Sequence, residues 1–112
     1  MISNKVSVIM NCYNGEKFLK KAVQSVINQT YVDWELLFWD NKSTDRSRVI
    51  LNSFHDERIK YIYSNDFKLL YDARNEAIQK SNGDYITFLD VDDWWEKDKL
   101  SIQLNEFETN KD

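Results

Sequence analysis

The spacing of four short apolar runs constrains this chain more than any other feature. Val6-Ser7-Val8-Ile9-Met10, Leu36-Leu37-Phe38-Trp39, Ile59-Lys60-Tyr61-Ile62-Tyr63 and Tyr85-Ile86-Thr87-Phe88-Leu89 are rich in β-branched and aromatic residues and read as strands. About twenty residues separate each run from the next, too many for a hairpin and enough for a parallel crossover. Helical patterns fill the gaps. Phe18, Leu19, Ala22, Val23, Val26 and Ile27 recur on one helical face. Val49, Ile50 and Phe54 mark a second helix, with Ser43, Thr44 or Asp45 as its N-cap. Ala73, Ala77 and Ile78 mark a third, stopped by Asn82-Gly83, and Leu100, Leu104 and Phe107 a fourth. The order β-α-β-α-β-α-β-α predicts an α/β fold: an open, mostly parallel sheet of about four strands and four helices, with helices on both faces. The first, second and fourth runs are nearly continuous in hydrophobicity, as strands covered on both faces are. The third alternates and is expected nearer an edge.

Composition removes many function classes. At 112 residues the chain is a single domain, 1–112. Fifteen basic residues against 19 acidic ones leave a net charge of −4, which argues against nucleic acid as a partner. Four Trp, six Tyr and six Phe are too many for a disordered chain. No apolar run approaches the ~18 residues of a membrane span, and the first residues do not read as a signal peptide. The single Cys12 excludes an internal disulfide and a cysteine metal cluster. The single His55 excludes a histidine-rich zinc site and argues against a Ser-His-Asp triad. Two glycines, Gly15 and Gly83, cannot build a dinucleotide fingerprint or a P-loop. Carboxylate chemistry remains.

In parallel sheets, ligands bind beyond the carboxyl ends of the strands. Asn11-Cys12-Tyr13-Asn14 follow the first run, Asp40-Asn41-Lys42-Ser43-Thr44-Asp45 the second, and Asp90-Val91-Asp92-Asp93 the fourth. In an extended stretch Asp90 and Asp92 point to one side, ~6–7 Å apart. Such a pair suits a hard divalent cation, Mg²⁺ or Mn²⁺, shared with substrate phosphates. The plainer alternative is that Asp92 or Asp93 caps the last helix. Asp40 and Asn41 either complete a turn or read a base edge or ribose hydroxyl. Arg74 is either a surface arginine paired with Asp72 or Asp66, or a guanidinium facing the acidic site. Trp94-Trp95 read as core and rim packing rather than a sugar platform, and Cys12 as a small buried residue.

At these residues the chain resembles the family 2 glycosyltransferases of GT-A fold, whose nucleotide part is a Rossmann-like half. Four blocks carry the resemblance in order: Val6–Asn14; Ser25-Val26-x-x-Gln29-Thr30-Tyr31 with Trp34-Glu35-Leu36; Asp40-x-x-Ser43-Thr44-Asp45; and Ala73-Arg74-Asn75 with Gly83–Asp93. The resemblance implies inverting transfer of a sugar from a nucleotide donor, usually a UDP-sugar, to an acceptor hydroxyl on a glycan or lipid-linked glycan. It assigns Tyr13, with the backbone near Asn11 and Cys12, to the base, and Asp40 and Asn41 to base and ribose. Asp90 goes to the ribose and sugar, Asp92 to the divalent metal on the diphosphate, and Arg74 beside them. It further implies a cytoplasmic protein at the inner face of a membrane, with peripheral membrane association of the full enzyme. Asn11-Cys12 stands where the family often has Pro-Thr, Asp40-Asn41-Lys42 where it often has Asp-Asp-Gly, and Leu69 near a usual glycine.

Family domains run well past the acidic motif, and the catalytic base is expected downstream. The chain therefore reads as the donor-binding portion, with the acceptor-binding portion absent and no catalytic residue of its own. A sheet cut short exposes apolar surface, which favours a homo-oligomer. Three alternatives stay open here: a haloacid-dehalogenase-like phosphatase fragment, a receiver-like module, and a non-catalytic nucleotide-binding or interaction module.

Overall fold

The structure is a computed structural model that describes residues 4–109. Four strands, β1 (Val6–Cys12), β2 (Trp34–Asp40), β3 (Ile59–Tyr63) and β4 (Tyr85–Phe88), alternate with four helices, α1 (Leu19–Ile27), α2 (Ser47–Asn52), α3 (Leu70–Gln79) and α4 (Lys99–Thr109). The strands lie in the order β3-β2-β1-β4 and every pair is parallel. This is the open α/β sheet expected, with β3 at an edge. The first two strands run further than their apolar cores, so Asn11, Cys12 and Asp40 belong to the ladder rather than to the loops. Their backbone bonding continues past it, from Asn41 N–H to Cys12 O and from Ser64 N–H to Asp40 O.

Helices cover both faces. On one, Leu19, Ala22, Val23 and Val26 of α1, Leu51 of α2 and Leu100 and Leu104 of α4 pack on Val8, Met10, Leu36 and Phe38. On the other, Ala73 and Ala77 of α3 pack on Ile9, Leu37 and Trp39. Small side chains let α3 sit close to the sheet. Every residue of β2 is buried, as its continuous hydrophobicity requires. The fourth strand departs from that reading. It forms the second edge among the described residues, and Ile86 and Phe88 are exposed on its α3-side face.

At the amino-terminal edge of the sheet a buried carboxylate ties four segments together. Glu35 of β2 accepts from Ser7 Oγ of β1 at 2.6 Å, from Lys60 Nζ of β3 at 2.7 Å and from Asn82 N–H at 2.6 Å. Burial alone pushes its carboxyl up, but the bonds from Asn82, Lys60 and Ser7 outweigh burial and hold it below its usual value. The neighbouring Gly83 does not serve as the helix stop read from the sequence. Helix α3 already ends at Gln79, and no glycine among the described residues has a positive φ. Its role is close approach: a Cβ there would lie 2.4 Å from Ser7 Oγ and 2.6 Å from Ser7 N.

Candidate functional site

Chain order reverses between β1 and β4. From β1 the sheet grows outward through β2 to β3, and β4 then returns to the other flank of β1. Crevices at such reversals, beyond the carboxyl ends of the strands, are where open α/β sheets bind ligands. An open cleft of about 430 Å³ lies there, lined by Asn11, Tyr13, Asn14, Gly15, Phe18, Leu70, Asp90, Val91 and Asp92. Of the residues singled out from sequence, the structure brings Asn11, Tyr13, Asp90 and Asp92 into this one cleft.

The acidic segment is a turn, not the extended stretch expected. Asp93 N–H donates to Asp90 O at 3.0 Å, so the alternation that would align Asp90 with Asp92 does not operate. The turn is held from beneath by Val91. A Cβ on Gly15 would meet Val91 Cγ2 at 2.9 Å, so only glycine lets the β1 loop close on it. Asp90, Asp92 and Asp93 are exposed. Asp93 accepts from Trp94 N–H, one residue on, and caps no helix. Arg74 lies beside the acids and pairs with neither Asp66 nor Asp72: its guanidinium stands over the Phe88 ring at 4.7 Å and reaches Asp90 Oδ1 at 3.4 Å.

Among the described residues no three His, Cys, Asp or Glu side chains are placed to cage a metal ion. Asp90 and Asp92 nonetheless fit a divalent cation of the kind that takes one or two carboxylates and completes its shell with water and phosphate oxygens. Both exposed residues line the one cleft, and among the described residues Asp92 has no hydrogen-bond or ion-pair partner.

Asp40 and Asn41, expected at the base and ribose, have partners within the protein. Asp40 is fully buried; its carboxylate accepts from Tyr61 OH at 2.5 Å and from Ser43 N–H at 3.0 Å. Burial first, then the bond to Asp40, raises the Tyr61 phenol and keeps it a donor. The carboxamide of Asn41 is engaged at both ends by one residue, donating to Lys68 O at 2.7 Å and accepting from Lys68 N–H at 2.9 Å. These side chains hold loops in place; neither faces the cleft as a free group. The thiol of Cys12 also points away, into the core toward Ser47 Oγ, and burial raises it. Asn11 is different: its Oδ1 is buried with no partner. At Lys42, where the resembled family has glycine, φ is +62°.

One contributor was missed. The segment after β3, Ser64–Leu69, carries Phe67, whose ring meets Tyr13 edge-on at 5.1 Å. The signal was available, because β3 also ends at the carboxyl edge of the sheet. Ser43–Asp45, expected to cap α2, brace the β1 loop, Ser43 Oγ accepting from Asn14 N–H and Asp45 from Glu16 N–H; Asp45 also accepts from the N–H of Ser47, the first residue of α2, although Arg46 holds the N-cap position.

Sheet order, acidic turn and cleft define an open α/β domain with a candidate ligand cleft at its switch point. Residues 7–112 match the family model described as Glycosyl transferase family 2. The chain belongs to that family, and the phosphatase and receiver-like readings fall away. A β-1,3-glucosyltransferase of Escherichia coli, named as acting from UDP-Glc on α-D-GlcNAc-diphosphoundecaprenol, is 41% identical over 100 residues. That match covers 89% of this chain and 40% of the relative, so the chain spans about two fifths of such a protein. Among solved structures, Staphylococcus aureus TarS 1–349 superposes with a TM-score of 0.88 at 25% identity, over 94% of this chain and 32% of TarS. Its complex with UDP-GlcNAc gives 0.86 at 24%, over 94% and 31%.

Proposed function

We propose that residues 1–112 are the donor-binding part of an inverting glycosyltransferase that takes a nucleotide-diphosphate sugar, with UDP as the nucleotide. The observation that carries the proposal is the cleft at the β1–β4 reversal, lined by Asn11 and Tyr13 from the end of β1 and by Asp90 and Asp92 from the turn after β4. Tyr13, braced by Phe67, offers a ring face to the base. The orphaned Asn11 Oδ1 is an acceptor awaiting a donor. Asp40 and Asn41 act indirectly, by holding the Ser43 and Lys68 segments that border the site. Arg74 steadies Asp90, which takes the ribose and sugar side, and Asp92 takes the cation. A Mg²⁺ or Mn²⁺ ion held there would neutralise charge on the departing diphosphate.

The reaction is attack by an acceptor hydroxyl on the anomeric carbon, opposite the diphosphate. A general base must sit within hydrogen-bond reach of that hydroxyl. The cleft's carboxylates share one turn on the diphosphate side, so the base belongs to the acceptor portion of the whole enzyme. The E. coli relative's named substrate supports a lipid-linked glycan acceptor and a place at the inner face of a membrane. No described helix is long and apolar enough to cross one.

Calorimetry of UDP with this chain tests the reading. Binding should strengthen at least tenfold with Mn²⁺ over EDTA, and Asp92→Asn should remove that gain. Equal binding in both conditions would sink the metal role, and tighter binding of ADP or GDP would overturn the choice of base.

A further inference from the structure

Beyond the cleft, the outer face of α1 forms with the segment after the acidic turn an open groove of about 560 Å³. Lys17, Lys20, Lys21 and Lys97 line it together with Trp94 and Trp95, and no acidic residue does. This runs against the balance of the whole molecule, which carries −4. The groove is a firm feature. Gln29 at the end of α1 is buried, donates to Glu96 O at 2.7 Å and accepts from Leu100 N–H at 3.0 Å. Thr30 N–H donates to Lys97 O at 2.9 Å. The lysines keep company with indoles: Lys21 Nζ stands 4.4 Å above the Trp94 ring, and Lys99 Nζ 5.1 Å above Trp95. Trp94 is still 46% exposed and Phe18 beside it 53%.

We infer that this face docks the protein on an anionic lipid surface. Long amine stems with charged heads, set around a half-exposed indole, match the headgroup zone of a bilayer, where the ring enters the interface and the amines meet phosphate. A small free phosphate is a poorer fit, because the lining offers no arginine fork to grip it. A smaller cleft lined by Lys17, Phe18, Lys21, Asp92, Asp93 and Trp94 joins the groove to the acidic turn. Docking through the groove would therefore set the candidate site beside the lipid surface. The inference stands whether or not the cleft takes a nucleotide sugar.

The test is sedimentation of the 112-residue chain with phosphatidylcholine vesicles, with and without phosphatidylglycerol. Binding is expected only to the anionic vesicles, falling as salt is raised. Each lysine near such a surface is worth about fivefold in affinity. Lys20→Gln/Lys21→Gln/Lys97→Gln should thus lose about a hundredfold, the matching Lys→Glu triple should lose more, and Trp94→Ala should weaken binding separately. The control Arg46→Glu/Lys80→Glu, on other surfaces, should bind like the parent. Equal binding to neutral vesicles, or equal loss in the control, overturns the inference. So does displacement from the vesicles by inorganic pyrophosphate bound in the same groove, which would mark a free-phosphate site. Circular dichroism establishes that each variant is folded.

Discussion

The two edges of one sheet solve opposite problems with the same residue type. At the amino edge, the carboxylate of Glu35 is 1% exposed and receives hydrogen bonds from two strands and the α3–β4 connection. At the carboxyl edge, Asp90, Asp92 and Asp93 share one turn and stay in solvent, and among the described residues their one ion pair is Asp90 with Arg74 at 3.4 Å. A saturated carboxylate fastens strands together and has nothing left for a ligand. An unsaturated cluster contributes little to the fold and keeps its oxygens available. The difference teaches where stability and function are separable in this molecule: mutations should sort by edge.

The sharpest break would come from Glu35→Ala. The substitution leaves Ser7 Oγ and Asn82 N–H without their acceptor while Lys60, 44% exposed, turns to water, a cost of about 2–4 kcal/mol together, and urea melts should show a loss of that order. A loss under about 1 kcal/mol would dissolve the contrast. The same group predicts acid behaviour. Its folded pKa lies below its ordinary value of 4.5, so its stabilisation is fully present above that pH and is lost as pH falls through the folded value. The gap in urea midpoint between the parent and Glu35→Gln should therefore shrink on acidification below about pH 4.5.

Asn41→Asp probes the carboxyl edge where it is saturated. An aspartate keeps the acceptor for Lys68 N–H but faces Lys68 O with no donor. The loss should be about 1–3 kcal/mol, with Phe67 freed from Tyr13 and UDP bound more weakly. No change in either would show that the bond is dispensable. Lys42→Gly should stabilise by about 0.5 kcal/mol, because relief of a left-handed φ slightly exceeds the added freedom of the unfolded chain. The smallest effect on folding belongs to Asp92→Asn, within about 0.5 kcal/mol of the parent. A melt that moves further would mean the acidic turn is structural after all.

Much of the fold was legible because periodicity and spacing report backbone geometry directly. Continuous β2, alternating β3 and crossover-length gaps lead to a parallel sheet without further help. The side chains at the site were less legible, because a pattern says where a residue lies along an element but not what saturates it. Asp40 and Asn41 occupy the expected edge, yet Tyr61, Ser43 and Lys68 claim them, and those partners are distant in sequence. Gly83 was read as a stop for α3, when the crowding it relieves comes from Ser7 on another strand. The turn at Asp90–Asp93 defeated the alternation rule because the ladder ends just before it. Phe67 was missed through incomplete use of a sound rule, since only three of the four strand ends were considered.

The strand order has a consequence for synthesis on the ribosome. Ser7 on the central strand accepts in its side chain the N–H of Gly83, 76 residues later. One flank of β1 is therefore unmatched until β4 emerges. At roughly 5–20 residues per second that interval lasts on the order of 4–15 s. Val8 and Ile9 spend it without their final neighbours. Of these four strands β1 leaves the ribosome first and waits longest for its neighbours, which makes the nascent chain up to β4 the interval in which a holding chaperone has most to protect.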